Sequence, residues 1–193
     1  NYNNGITGKD TLFIQKASVT VNAVNHGING KDSLTIKDAD ITVTSGGDAL
    51  RSTNDSDTTL GYLVITGSAL KLTAGEDGIQ AETTLTISGG TATVTTAGGA
   101  GQSISDDTSA KGLKAGTQVT VTGGTFQLNC CDDAIHSNGD VTISGGSFTI
   151  ATGDDGMHAD DTLSISSGTI DITRSYDCLL YTSPSPRDGL LSR

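Results

Sequence analysis

A small–apolar pair recurs along the chain at Gly5-Ile6, Gly27-Ile28, Ala49-Leu50, Gly78-Ile79, Gly112-Leu113, Ala134-Ile135 and Gly156-Met157. The intervals between these pairs are 22, 22, 29, 34, 22 and 22 residues, so four are equal and two are the same unit with insertions of seven and twelve. Other positions repeat with it. An apolar pair follows seven and nine residues after six of the seven anchors, at Leu12/Ile14, Leu34/Ile36, Leu85/Ile87, Val119/Val121, Val141/Ile143 and Leu163/Ile165. A small residue follows at twelve (Ala17, Ala39, Gly90, Gly124, Gly146, Gly168). A second apolar pair follows at fourteen and sixteen (Val19/Val21, Ile41/Val43, Ala92/Val94, Phe126/Leu128, Phe148/Ile150, Ile170/Ile172).

Each pair alternates with period two, as a short strand does when it turns two side chains to one face. One such unit cannot bury its apolar face alone, whereas stacked units make a continuous core. The expected fold class is therefore all-β: a single-stranded, right-handed parallel β-helix (a β-solenoid) of about seven coils of 22 residues, with three short strands per coil. Left-handed versions use hexapeptide repeats, and a calcium-binding nonapeptide roll needs a nine-residue period that is missing here.

Composition agrees with such an array. Apolar residues are 34% and aromatics 4%, too few for a globule with one central core, while 26 glycines and many β-branched residues suit short strands between turns. A formal charge of −11 disfavours nucleic acid, and no apolar run approaches membrane-spanning length, so neither nucleic-acid binding nor membrane insertion is expected. The same charge favours hard cations.

The repeat array covers residues 1–173, and residues 174–193 break its pattern. Both prolines of the chain lie in this tail, and Cys178–Asp188 reads as one translated frame of a common transposase sequencing adapter. The tail is expected to be non-native and unstructured. The chain begins at Asn1 without an initiator Met or signal peptide, and is expected to be a piece of a longer protein or a mature product. Cys130 and Cys131 are adjacent, which favours free thiols over a strained disulfide.

Three features converge on the anchor strand. Acidic residues precede it, singly or in pairs: Asp48, Glu76-Asp77, Asp132-Asp133 and Asp154-Asp155. In adjacent coils these stack, and like charges on neighbouring strands repel. A bound Ca²⁺, which takes six to eight oxygen ligands, would remove that repulsion; Asp side chains bonding the turn backbone would explain the same residues without a metal. Two residues after each anchor start stands an outward polar side chain, Asn29, Arg51, Gln80, Lys114, His136 or His158. Arg51, Gln80, Lys114, His136 and His158 form a row suited to the hydroxyls and carboxylates of an extended ligand, or an ordinary solvated face. The stacked His136 and His158 also admit a transition metal. Finally, the insertions between Arg51 and Tyr62 and between Ala97 and Lys111, carrying Asp55, Asp57, Asp106 and Asp107, border this strand and are placed to wall a groove.

The recurring Asp-Asp-Ala/Gly-Ile/Met-His at Asp132–His136 and Asp154–His158, followed by Thr142–Gly146 and Leu163–Gly168, resembles a bacterial family of secreted carbohydrate-binding β-helix domains related in fold to pectate lyases. The resemblance spans nearly all of residues 1–173. It implies an extracellular or cell-surface protein that carries calcium and binds plant cell-wall polysaccharide, cellulose or a pectin-like polyuronate; only the Asp pairs are carried over as site residues. The paucity of aromatic rings points to polar and ion-mediated recognition. An alternative is a polysaccharide lyase in which calcium acidifies the proton alpha to a uronate carboxylate and Arg51, Lys111 or Lys114 removes it. A surface adhesin or structural spacer is the third reading.

Overall fold

The structure, a computed structural model, describes residues 3–105 and 107–181. Among these residues it is all-β, with parallel strands in two curled sheets and no helix. The anchor segments form an eight-stranded sheet: Ile6–Gly8, Ile28–Gly30, Leu50–Ser52, Ile79–Ala81, Leu113–Ala115, Ile135–Ser137, Met157–Ala159 and Leu179–Tyr181. The other two apolar pairs build a twelve-stranded sheet.

Register follows the repeat. Ile6, Ile28, Leu50, Ile79, Leu113, Ile135 and Met157 pair each with the next. So do Leu12, Leu34, Leu63, Leu85, Val119, Val141 and Leu163. Val19, Ile41, Leu70, Ala92, Phe126, Phe148 and Ile170 make the third column. Since side chains alternate across a strand, an in-register parallel stack lays like on like, and these columns fill one continuous buried core. Phe126 and Phe148 stack with ring centroids 4.6 Å apart. The repeat that carries the seven-residue insertion, where the apolar pairs are displaced along the sequence, supplies Leu63/Ile65 and Leu70/Leu72 to the same columns.

The strand count differs from the expected three separate strands per unit. Thr84–Thr96 and Gln118–Cys130 each run as one 13-residue strand through the corner between the second and third columns, joining those columns into one sheet. At that corner the chain takes a left-handed step. Gly124, Gly146 and Gly168 have φ of 119°, 108° and 120°, which a residue without Cβ adopts at no steric cost. In the first two repeats Ala17 and Ala39 hold the small-residue position, and the left-handed step falls one residue earlier, on Lys16 and Asp38 with φ of 50°.

The tail expectation needs correction, because the beginning of the tail is ordered: Arg174 closes the strand Thr169–Arg174, and the Tyr176 and Asp177 amides bond back to Asp154 and Asp155. Leu179–Tyr181 pairs in register with Met157–Ala159, because extending the anchor sheet covers an apolar rung that would otherwise face solvent. Residues 182–193 lie outside the described residues. Cys130 and Cys131 are buried free thiols, and burial pushes the Cys130 thiol up to about 12.

The stack predicts a contrast measurable by chemical denaturation. Ile135, fully buried between Leu113 and Met157, should cost about 2–5 kcal/mol on Ile135→Ala. Phe13, 56% exposed, should change stability by less than about 0.5 kcal/mol on Phe13→Ala. Equal losses would contradict an inward-facing anchor column.

Candidate functional site

The turn before each anchor strand carries a hydrogen-bonded ladder. At this position the backbone carbonyls still accept amides of the neighbouring repeat, but the residue's own amide has no backbone acceptor, and a side chain of the preceding repeat accepts it instead. The Asp48 amide donates to His26 Nδ1 at 3.1 Å, the Asp77 amide to Asp48 Oδ1 at 3.1 Å and the Lys111 amide to Asp77 Oδ1 at 2.8 Å. Further along, the Asp155 amide donates to Asp133 Oδ1 at 3.0 Å and the Asp177 amide to Asp155 Oδ1 at 3.1 Å. Lys111 offers no acceptor, and there the Asp133 amide turns to its neighbour Asp132 Oδ1 at 2.8 Å. The acid at this position therefore satisfies a backbone donor that would otherwise be left unpaired, a role worth roughly 1–3 kcal/mol per rung.

The second carboxylate oxygen of these acids faces a base, which the sequence reading did not foresee. Three residues along the chain, and across the same turn, stands the outward polar residue of the anchor strand. Asp48 Oδ2 lies 3.3 Å from Arg51 Nη1, and Asp133 Oδ2 lies 2.8 Å from His136 Nδ1. Asp77, whose own strand offers Gln80, takes Lys114 Nζ of the next strand at 3.1 Å. Lys111 Nζ bridges Asp132 at 2.7 Å and Asp133 at 3.2 Å. The acid column is thus largely neutralised by the basic row beside it, and the repulsion expected from the sequence is met by protein side chains.

The balance varies along the column. Burial would raise the Asp133 carboxyl, but the His136 hydrogen bond, the Lys111 charge and the Asp155 amide overcome it and hold it at about 2. Asp48 shows the reverse: burial, then the Asp77 charge, push it up to about 6 against the pull of Arg51. Asp154 and Asp155 are raised by burial first; the Asp133 charge adds to this at both, and the Asp155 and Asp132 charges add to it at Asp154.

The twelve-residue insertion separates two grooves on this face. One, of about 400 Å³, sets Arg51, Gln80 and Lys114 among five acids, Asp48, Glu76, Asp77, Glu82 and Asp107, with Thr108 and Ser109 on its wall. Arg51, Gln80 and Lys114 are direct register partners on three consecutive strands. Ser109 ties the insertion to the sheet: its Oγ donates to Asp77 Oδ1 at 2.7 Å, and Lys114 Nζ donates to Ser109 Oγ at 3.0 Å. The other groove, of about 420 Å³, is bounded by Gln102–Ser105, Asp132 and Asp154. The seven-residue insertion contributes Thr53 to the first groove; its Asp55 and Asp57 are exposed, and Asn54 organises it by accepting from the Ser56 and Asp57 amides at 3.1 and 3.2 Å. Asp107 lines the first groove, and Asp106 lies outside the described residues.

Three groups of ligand-type side chains bring their donor atoms within 4.8 Å of one another: Asp132/Asp133/Asp154, His26/Asp48/Glu76 and Asp133/His136/His158. The structure therefore gathers Asp132, Asp133 and Asp154, places Asp48 with Glu76, leaves Asp77 with Lys114 and Ser109, and sets Asp155 beside His158. Ser109 was missed, and His26, which with Lys111 interrupts the acidic series, was given no site role. Spacing places His26 in the same repeat slot as Asp48, but its role as acceptor of the Asp48 amide shows only in the structure; Ser109 sits in an insertion with no repeat to place it.

The profile of a family described as "Carbohydrate-binding domain-containing protein" matches residues 1–156, and the chain belongs to that family. Among solved structures it is similar to the polysaccharide lyase-like protein from C. thermocellum, determined as a gadolinium derivative, with a TM-score of 0.56 and 18% identity over 94% of this chain and 83% of that one. That likeness concerns the fold. No curated protein matches the sequence significantly.

Asp48 gives a pH test of the ladder. Its carboxyl is raised from 3.8 to about 6 on folding, so the folded state holds this proton more tightly than the unfolded state. The stabilisation from that proton is present below about pH 3.8 and lost as pH rises through about 6. Asp48→Asn keeps the acceptor for the Asp77 amide and removes the charge. In calcium-free buffer it should stabilise the protein above pH 6 by at most ~3 kcal/mol and leave stability near pH 4 unchanged. Thermal melts across this range decide it; a lower melting temperature at pH 7 would mean that the Arg51 ion pair outweighs burial.

Proposed function

We propose that the protein is a non-catalytic module that binds a hydroxyl-rich polysaccharide, neutral or uronate-bearing, along its anchor face. The observation that carries this reading is the first groove, where Arg51, Gln80 and Lys114 stand in register on adjacent strands beneath the Thr108–Ser109 wall. Strands about 4.8 Å apart present these donors at regular intervals to a chain lying across them. Arg offers a planar fork for a carboxylate, Gln pairs with hydroxyls, and Lys supplies a point charge. Membership of the carbohydrate-binding family supports a saccharide as the ligand. We read the architecture as a right-handed, single-stranded β-helix of about seven coils, a rod whose side offers a long docking face. A plant cell-wall polyuronate or cellulose met outside the cell is the ligand class we favour.

Calcium is assigned to the second groove. Asp132, Asp133 and Asp154 offer the all-oxygen donor set that Ca²⁺ takes, and Asp154 lacks the basic partner its neighbours have. Lys111 now stands where the ion's charge would act, so Lys111 leaves Asp133 when the ion binds. Bound there, calcium would supply positive charge for a uronate carboxylate. A lyase reading is weaker. Although burial pulls the Lys111 ammonium down, Asp133 and Asp132 raise it further and keep the proton on, the opposite of what a general base needs.

Co-sedimentation with cellulose, pectin and polygalacturonate tests the proposal. The protein should pellet with at least one of them and release no soluble unsaturated product. Arg51→Ala with Lys114→Ala should weaken binding at least tenfold, and Asp154→Asn should remove any calcium dependence. Retention of full affinity in the double variant would overturn the assignment of the groove, and release of unsaturated oligosaccharides would replace it with the lyase.

A further inference from the structure

Two of the chain's three histidines lie side by side at the far end of the anchor face, and they differ from the third in what they face. His26 has donors at both ring nitrogens, the Asp48 amide at Nδ1, 3.1 Å away, and Arg51 Nη1 at Nε2, 2.9 Å away, although Asp48 Oδ2 also lies 3.3 Å from Nδ1. No lone pair there is free for an ion, and a guanidinium occupies the approach. His136 and His158 face acceptors instead. His136 Nδ1 is 2.8 Å from Asp133 Oδ2, and its Nε2 is 3.0 Å from Asn138 Oδ1. His158 Nδ1 looks between two carboxylates, Asp133 Oδ2 at 3.7 Å and Asp155 Oδ2 at 3.8 Å. Its Nε2 lies 3.2 Å from Asp160 Oδ1, off the line of the ring N–H, so neither nitrogen of a side chain only 19% exposed has a formed hydrogen bond.

We propose that Asp133, His136 and His158 form a binding site for a late transition-metal dication of the zinc class, held by Asp133 Oδ2 and the two Nδ1 atoms. A neutral imidazole has one N–H, and at each of these rings both nitrogens meet acceptors. A proton at Nε2 satisfies the outer partner and leaves Nδ1 with its lone pair turned toward a carboxylate, a repulsive contact that a cation converts into attraction. At His136, Asn138 then occupies the position of the outer partner that fixes the tautomer of a metal-bound histidine, while at His158 Asp160 stands nearby without a formed hydrogen bond.

The spacing suits such an ion. Ligand atoms about 2.0–2.1 Å from a tetrahedral metal lie roughly 3.3 Å apart. The gaps of 2.8 and 3.7 Å from Asp133 Oδ2 to the two Nδ1 atoms bracket that value, and 3.7–3.8 Å is too wide for a direct hydrogen bond. The histidines are register partners on adjacent strands, with ring centroids 4.8 Å apart, so the backbone fixes their separation. Lys111 Nζ, 3.2 Å from Asp133 Oδ2, is the competing charge; it retains Asp132 at 2.7 Å when that oxygen turns to the metal. Three protein ligands leave a coordination position open to water or to an oxygen of a bound ligand. Asp133 is common to this site and the calcium assignment, so the two ions compete for it; the nitrogen donors distinguish the site chemically from one of oxygens alone, and the inference does not depend on polysaccharide binding.

Cobalt(II) titration of the tag-free, chelator-treated full chain, followed by its visible absorption, tests the site. One equivalent should bind saturably and be displaced by zinc. His136→Gln, His158→Gln and Asp133→Asn should each weaken binding at least tenfold; the asparagine retains the Oδ1 acceptor for the Asp155 amide, and thermal melts check that each variant folds. In the unaltered chain, zinc should shift the nitrogen-15 resonances of the His136 and His158 rings and leave those of His26 in place. Absence of saturable cobalt binding, unchanged affinity in folded variants of both histidines, or equal shifts of all three rings would overturn the proposal.

Discussion

The in-register parallel stack governs everything else in this molecule. Each residue stands on its counterpart one repeat earlier, about 4.8 Å away, so a choice made once in the repeat becomes a column. For apolar residues the consequence is favourable: isoleucine on isoleucine and phenylalanine on phenylalanine fill the interior without one large central core, which this composition could not supply. For charged residues the same geometry is costly, because a repeated acid becomes a line of like charges. The fold meets that cost locally. One carboxylate oxygen accepts the next repeat's amide, and the other meets a base carried three residues later on the anchor strand or on a neighbouring rung.

Two interruptions show that the hydrogen-bonding role comes first and the charge second. His26 takes the acid's place and still accepts the next amide through Nδ1, so the ladder continues without a negative charge. Lys111 takes the same place and cannot accept, and the structure responds by recruiting Asp132 from one residue earlier. The doubled acid at Asp132-Asp133 is therefore explained in part by the lysine one repeat before it: Asp132 caps the broken rung and also binds the ammonium that broke it. This accounts for the concentration of carboxylates around Lys111 on structural grounds, before any ion is considered.

Much of the architecture could be read from spacing, because period-two pairs inside a 22-residue unit leave few ways to bury their apolar side. The anchor columns, the outward row and the border position of the insertions all follow from it. Two aspects did not. The repeat interrupted after Arg51 hides its apolar pairs, since Leu63/Ile65 and Leu70/Leu72 fall at the expected positions only after the insertion is subtracted. The separation of corner strands was also overestimated, because a Gly-Gly pair permits the left-handed step without ending the ladder in Thr84–Thr96 and Gln118–Cys130. In the site, the acids and the outward bases were each recognisable, but their coupling was not: a separation of three residues means nothing in an extended strand, and brings side chains together only because a tight turn lies between them.

The result is a face whose electrostatic character changes along its length. At Asp48 and Asp77 the pairing cations are Arg51 and Lys114, permanent donors bordering an open groove. At Asp133 and Asp155 the corresponding positions are His136 and His158, imidazoles in place of guanidinium and ammonium groups. The repeat thus keeps one backbone and one acid while exchanging only the partner at the third residue. Along the rungs the face therefore passes from ion-paired arginine and lysine at one end to imidazoles at the other, on one repeating backbone.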